Sequence, residues 1–231
     1  MLEKDIKYLI RFFDEDYKVE YLFHKGLYMN AAATYHKIES DSLKWDYGEG
    51  SFCNSYAYKN VNRPIWCCTA VFNENITNNN IILDKKLLED FNCCNGFAVV
   101  INKGKFLKSL RENPKNIYAY SYGLVSYKQK NPNEILLNNR FDSSLFIKSP
   151  SFQHQQEFRF CIDYSCEKVF EKDVNNYFGL GVEQEYFKGY KAFEYELYCI
   201  KSFSQKLLST DFVRNGEIKI NLDILDKNIF M

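Results

Sequence analysis

Gln155, Glu157 and Arg159 stand at alternate positions of SFQHQQEFRFCID, residues 151 to 163. On a strand, period two puts Gln155, Glu157, Arg159 and Cys161 on one face and Gln156, Phe158, Phe160 and Ile162 on the other. The phenylalanine face must be core, so the first face looks onto something polar. The bland use of such a stripe is ion pairing between Glu157 and Arg159 or across strands, worth a few tenths of a kcal/mol up to about 1 kcal/mol on a solvated face. The sharper use is the floor of an active site, where a fixed carboxylate stabilises positive charge that develops during a reaction. Two further Q/E-x-E patterns occur, Glu183-Gln184-Glu185 and Glu194-Tyr195-Glu196. The Phe-Arg that follows Glu157 and the loop KSPSFQH that precedes it favour residues 155 to 157.

The other chemistry-bearing residues are less organised. His24 ends a predicted helix, where an imidazole suits the negative end of the dipole. His36 and His154 are isolated, and His154 gains interest only from its place beside Gln155. Asp46 and Glu49 in the loop DYGEG would make a weak cation site, although Asp and Gly there more often simply build turns. The eight cysteines contain no C-x-x-C, and two pairs are adjacent, Cys67-Cys68 and Cys93-Cys94. Adjacent strand residues face opposite ways, so these read as buried free thiols of a reducing compartment rather than zinc ligands or nucleophiles. No metal site is expected.

The elements that must position the stripe are short. Residues 5 to 13 read as a strand, and DEDYKVEYLFHKG as a helix with an acidic start and the stripe Val19, Leu22, Phe23, stopped by Gly26. LYMNAAATY follows as a strand, 40 to 51 as a loop, and PIWCCTAVF, 64 to 72, as a buried strand. Leu83, Leu87, Leu88 and Phe91 fall at helical spacing. GFAVVI, 96 to 101, is a buried strand that turns into a helix through Phe106, Leu107 and Leu110. Residues 117 to 127 form an aromatic strand and 129 to 150 a loop. The stripe's own strand spans about 155 to 164, and KAFEYELYCIKSF and GEIKINLDIL are two late strands. The fold class is therefore α+β, with one domain over residues 1 to 231 in which 165 to 231 extend the sheet. Strict βα alternation, G-x-G-x-x-G and the P-loop are all missing, which argues against a Rossmann or P-loop fold.

Lys and Arg balance Asp and Glu at 30 each, so no broad electrostatic footprint for nucleic acid exists. Aromatic residues reach 17%, which points to a sheet-rich globular chain. The N-terminus lacks a signal-peptide plan and no window approaches the ~20 apolar residues of a membrane span, so the expected location is the cytoplasm. The clustered asparagines of NITNNN and NPNEILLNN read as compositional bias.

The pattern Lys148-x3-Phe152-x2-Gln155-x-Glu157-Phe158-Arg159 resembles a signature of a family of poorly characterised phage and prophage proteins. In that family it follows a D-x-x-E-G motif, here Asp46 to Gly50. GLYMN at 26 to 30 and GFAVVINKGKFL at 96 to 107 resemble further landmarks of the same family. More distantly, the chain resembles ADP-ribosyltransferases, including DarT-like toxins, which open with strand, short helix, Gly and strand and place a Q/E-x-E pair at the head of a late strand. The resemblance implies an ADP-ribosyltransferase-like mixed and antiparallel split sheet, NAD as cosubstrate, and transfer of ADP-ribose to a protein or nucleic-acid acceptor in phage–host conflict. It gives Glu157 the role of holding the ribose and stabilising its charge, and Gln155 that of orienting the acceptor. It makes Arg11 and Tyr35 cofactor-binding residues. The alternative is a phage protein without catalysis that binds and blocks a host defence complex, such as a CRISPR effector.

Overall fold

The computed structural model describes residues 5–32, 63–90, 96–113, 119–128, 145–164, 168–174, 185–190, 192–197, 199–212 and 216–226. IKYLIRFF forms β1 (Ile6–Phe13), whose alternation is broken by a register shift between Ile6 and Tyr8. The shift brings Ile6 onto the same face as Leu9, while Tyr8 and Ile10 face the other way. Helix α1 (Asp16–His24) buries Val19, Leu22 and Phe23, and its last residue His24 lies 3.2 Å from Glu20 on an exposed surface. Then follow β2 (Gly26–Ala31), β3 (Pro64–Phe72), the short ribbon β4 (Ile76–Thr77) and β5 (Asn80–Ile82), α2 (Lys85–Asp90), β6 (Phe97–Asn102) and α3 (Lys103–Glu112). Asn102 caps α3 by accepting from the Lys105 amide. The chain continues through β7 (Tyr120–Leu124), β8 (Ser126–Tyr127), β9 (Ile147–Lys148) and β10 (Glu157–Ile162). It ends with β11 (Lys168–Val174), β12 (Glu185–Tyr190), β13 (Phe193–Glu196), β14 (Ser204–Leu208), β15 (Glu217–Lys219) and the turn α4 (Leu222–Leu225).

The main sheet has eight strands in the order β13-β2-β3-β1-β6-β14, with β10 on β3 and β7 on β10. Its pairs are antiparallel. Thr69 of β3 is opposite both Ile10 and Glu157, and Ile65 is opposite both Asn30 and Cys161. Strands β1 and β2 therefore share one edge of β3, and β10 takes the other. The fold is a mixed α+β domain with few helices, as the sequence leads one to expect.

Two apolar layers enclose this sheet. One joins Leu9, Trp66, Cys68, Phe158, Phe160 and Ile162 to the buried faces of α1 and α3. Phe160 anchors it, with ring centroids 5.4 Å from Tyr120 and 5.5 Å from Tyr195. The other joins Tyr8, Ile10, Val71, Ala98 and Val100 to Leu87 and Leu88 of α2 and to Ile218 and Leu225.

Several expectations need correction. The strand expected from about 155 begins at Glu157, because residues 150–155 wind into a 3-10 helix with Pro at its start. GEIKINLDIL does not stay extended: after β15, the Asn221 side chain accepts from the Asp223 amide and caps a helical turn. KAFEYELYCIKSF gives β13 but then a 3-10 turn at Ile200–Phe203. NITNNN is a hairpin signal, since Asn78 and Asn79 take φ of 51° and 61° between β4 and β5. Asparagine tolerates that left-handed conformation better than most residues.

Candidate functional site

The head of β10 is set by one unusual residue. Gln156 caps the 3-10 helix in the left-handed region, at φ 45° and ψ 48°. For a residue other than Gly this costs roughly 1–2 kcal/mol. Its carbonyl accepts from the Ala70 amide at 2.8 Å, which pins the turn to β3. The kink brings Gln155 and Glu157 onto one cation: Lys148 Nζ donates to Gln155 Oε1 at 3.1 Å and lies 3.3 Å from Glu157 Oε2. Period two thus joins the right residues for the wrong reason, since Gln155 is not in the strand.

Glu157 is enclosed. Arg159 Nε and Nη2 donate to its two carboxylate oxygens at 2.7 and 3.1 Å, and Arg159 Nη1 donates to the Leu145 carbonyl at 2.6 Å. Arg159 is fully buried, and Glu157 is 7% exposed. Burial alone would push the Glu157 pKa up, but the Arg159 and Lys148 charges outweigh it and hold the carboxyl well below the usual range. The Glu157 amide donates to the Tyr127 hydroxyl at 2.7 Å, and burial raises the pKa of that phenol. The polar face read from the sequence is therefore a sealed ion cluster, covered by Leu145–Lys148.

Beside it lies a second polar group. His154 Nε2 meets Asp90 Oδ2 at 2.5 Å, and Gln155 Nε2 donates to the same oxygen at 2.9 Å. Burial works against ionisation of Asp90, yet the Gln155 and His154 hydrogen bonds hold its pKa below the ordinary carboxylate value. His154 and Gln156 line a cavity of about 390 Å³ that reaches from Thr69 on β3 to Asp84 ahead of α2.

Arg11 is not brought to Glu157. It follows Leu9 on the aromatic layer, with its guanidinium carbon 5.8 Å from the Trp66 ring and 6.0 Å from that of Phe13, and it donates to the Cys67 carbonyl. Phe158 and Phe160 face that same layer, so Glu157 projects from the opposite side of the sheet. Tyr35, His36, Asp46 and Glu49 lie outside the described residues, as do Glu183 and Gln184. Glu194 and Glu196 are exposed on β13, opposite Tyr28 and Gly26. Among the described residues Cys67, Cys68, Cys161 and Cys199 form no disulfide, and no three His, Cys, Asp or Glu gather as for a metal. Among the same residues no helix is long and apolar enough to cross a membrane.

Asp90, Thr69 and Tyr127 escape sequence reading. Asp90 ends a helix that carries only a core signal, and Thr69 and Tyr127 reach the site through strand pairing over long sequence separations. With this geometry in view, comparison with family models, curated proteins and solved structures gives no match to the chain.

Proposed function

We propose that the protein works by binding rather than by catalysis: it is a phage or prophage protein that occupies a host defence complex. The observation that carries this is an exposed tyrosine strip on α1 and β2. Tyr17 is 63% and Tyr28 51% exposed. Tyr21, one turn after Tyr17, meets Tyr28 edge-on at 5.8 Å and 88°. Tyrosine offers large, rigid contact area at low entropic cost and is enriched where proteins meet. The sealing of Glu157 supports the same reading, because its carboxylate already holds two cations. The resemblance to phage and prophage proteins supplies the class of partner.

A second reading is ADP-ribosyl transfer from NAD on an ADP-ribosyltransferase-like scaffold. It draws support from the ionised Glu157, from Gln155 sharing its Lys148, and from the cavity beside the turn. In that reaction the ribose–nicotinamide bond breaks, nicotinamide leaves with the electron pair, and the acceptor's nucleophile bonds to the ribose carbon and gives up its proton. Glu157 would stabilise the charge on the ribose. Arg11 plays no part on that face of the sheet.

One set of variants separates the two. Glu157→Asp keeps the buried negative charge but withdraws the carboxylate, and Tyr17→Ser with Tyr28→Ser strips the ring surface. A binder captures its partner from host lysate at fixed ratio, keeps it in Glu157→Asp and loses it in the tyrosine variant. Labelling of lysate from radiolabelled NAD that disappears in a folded Glu157→Asp protein overturns the binding reading in favour of transfer.

A further inference from the structure

We infer that the cavity between β3, the β4–β5 ribbon, α2 and the β10 turn is a binding site for a guanidinium on an aliphatic stem, an arginine side chain. It lies on the opposite side of the sheet from the aromatic layer, and the inference stands whichever reading of the protein holds.

Charge makes the first argument. Glu74 and Asp84 line the cavity, and among the described residues neither Lys nor Arg does. Both carboxylates are exposed, and Lys86, whose charge lowers the Asp90 pKa, belongs to α2 and not to the lining. Two rim carboxylates with no Lys or Arg beside them in the lining favour a cationic guest and disfavour a phosphate.

Carboxylates alone would not make a site. The second observation is Thr69, which is 5% exposed, lines the cavity and, among the described residues, makes no side-chain hydrogen bond. A hydroxyl in the cavity wall without a protein partner can accept from a ligand donor. His154 adds a third point. Asp90 holds its Nε2, and among the described residues no group is hydrogen-bonded to its Nδ1.

Shape makes the last argument. Val71, Ile81, Leu83 and Leu87 form the apolar part of the wall, and about 390 Å³ accommodates a three-carbon stem with a planar head. A guanidinium presents five donors in a fixed fork, which suits the carboxylates, the Thr69 hydroxyl and the Gln156 amide oxygen together.

The test is a titration of the full chain with N-acetyl-arginine amide, followed through the imidazole NMR signals. The chain has three histidines, so a His154→Gln spectrum assigns the reporter. The expected result is a saturable shift of the His154 signals at millimolar probe. Binding should weaken about tenfold in Glu74→Gln/Asp84→Asn, where both changes sit on exposed positions and leave the core intact. N-acetyl-citrulline amide, of the same shape and uncharged, should give no shift. Any of three results overturns the proposal: no His154 shift with the arginine probe, an equal shift with the citrulline probe, or undiminished binding in the double variant.

Discussion

Arg159 grips Glu157 from two positions along the same strand, Nε to Oε1 at 2.7 Å and Nη2 to Oε2 at 3.1 Å. Neither residue has water to fall back on, because Arg159 is 0% and Glu157 7% exposed. Breaking a buried pair leaves an uncompensated charge, which usually costs about 3–5 kcal/mol. Arg159→Met should therefore lower unfolding free energy by about that much in urea titrations. Lys148→Met should cost less, since Arg159 keeps both oxygens of Glu157. If Arg159→Met unfolds within about 1 kcal/mol of the wild type, the cluster is screened like a surface pair and the description of a sealed network is wrong.

The same cluster sets an acid limit. Glu157 has a folded pKa depressed by Arg159 and Lys148 against the opposing effect of burial. A depressed carboxyl contributes stability that is complete above its unfolded pKa, about 4.3, and is lost as pH falls toward the folded value. Asp90 shifts in the same direction. Stability should thus be level from neutral pH down to about 5 and fall steeply below about 4. In Glu157→Gln the low-pH fall should be shallower, although the variant starts from lower stability because two buried cations lose their anion. An equally steep acid fall in that variant would assign the loss to other carboxyls.

What the sequence could show of this site depended on distance along the chain. The alternation of Phe158, Phe160 and Ile162 against Glu157, Arg159 and Cys161 is local, and it fixed the strand's two faces. That the polar face is covered by Leu145–Lys148 is not local, and nothing in the period of β10 carries it. Gln155 illustrates a coupling of the two: its neighbour Gln156 turns left-handed because Pro150 starts a 3-10 helix and β3 holds the Gln156 carbonyl. The short strands β4, β5 and β9 were hidden because two or three residues hold no full period. The partner of His154 was invisible for another reason. Asp90 is 64 residues away and sits in a helix whose pattern speaks only of Leu87 and Leu88.

The thiols should separate by burial. Cys68 is 5% exposed, its Sγ lies 3.5 Å from the Phe158 carbonyl, and burial pushes its pKa far up. Cys161 is 1% exposed, whereas Cys199 is exposed. Because the thiolate is the reacting form, native alkylation at mildly alkaline pH should label Cys199 rapidly. Cys68 and Cys161 should take label only after denaturation. Peptide mapping by mass spectrometry reads each site, and fast native labelling of Cys68 would mean that the β3–β10 pair opens readily.

Gly26 offers the most direct test of how the tyrosine strip is mounted. Its φ is +117°, and a Cβ there would lie 2.3 Å from the Tyr195 carbonyl oxygen and 2.4 Å from the Leu197 nitrogen. Both atoms are backbone, so no side chain can rotate away to make room. Gly26 begins β2 opposite Glu196, and Tyr28 sits two residues on, opposite Glu194. Gly26→Ala must therefore strain the backbone, at about 1–3 kcal/mol, or push β13 off the edge of the sheet. Hydrogen exchange separates the outcomes, since detachment frees the β13 amides while strain alone lowers protection throughout the sheet. Either way Tyr28 is displaced relative to Tyr21, and capture of a partner through the strip should weaken. A Gly26→Ala protein with wild-type stability would mean that β2 and β13 are farther apart than the pairing described here.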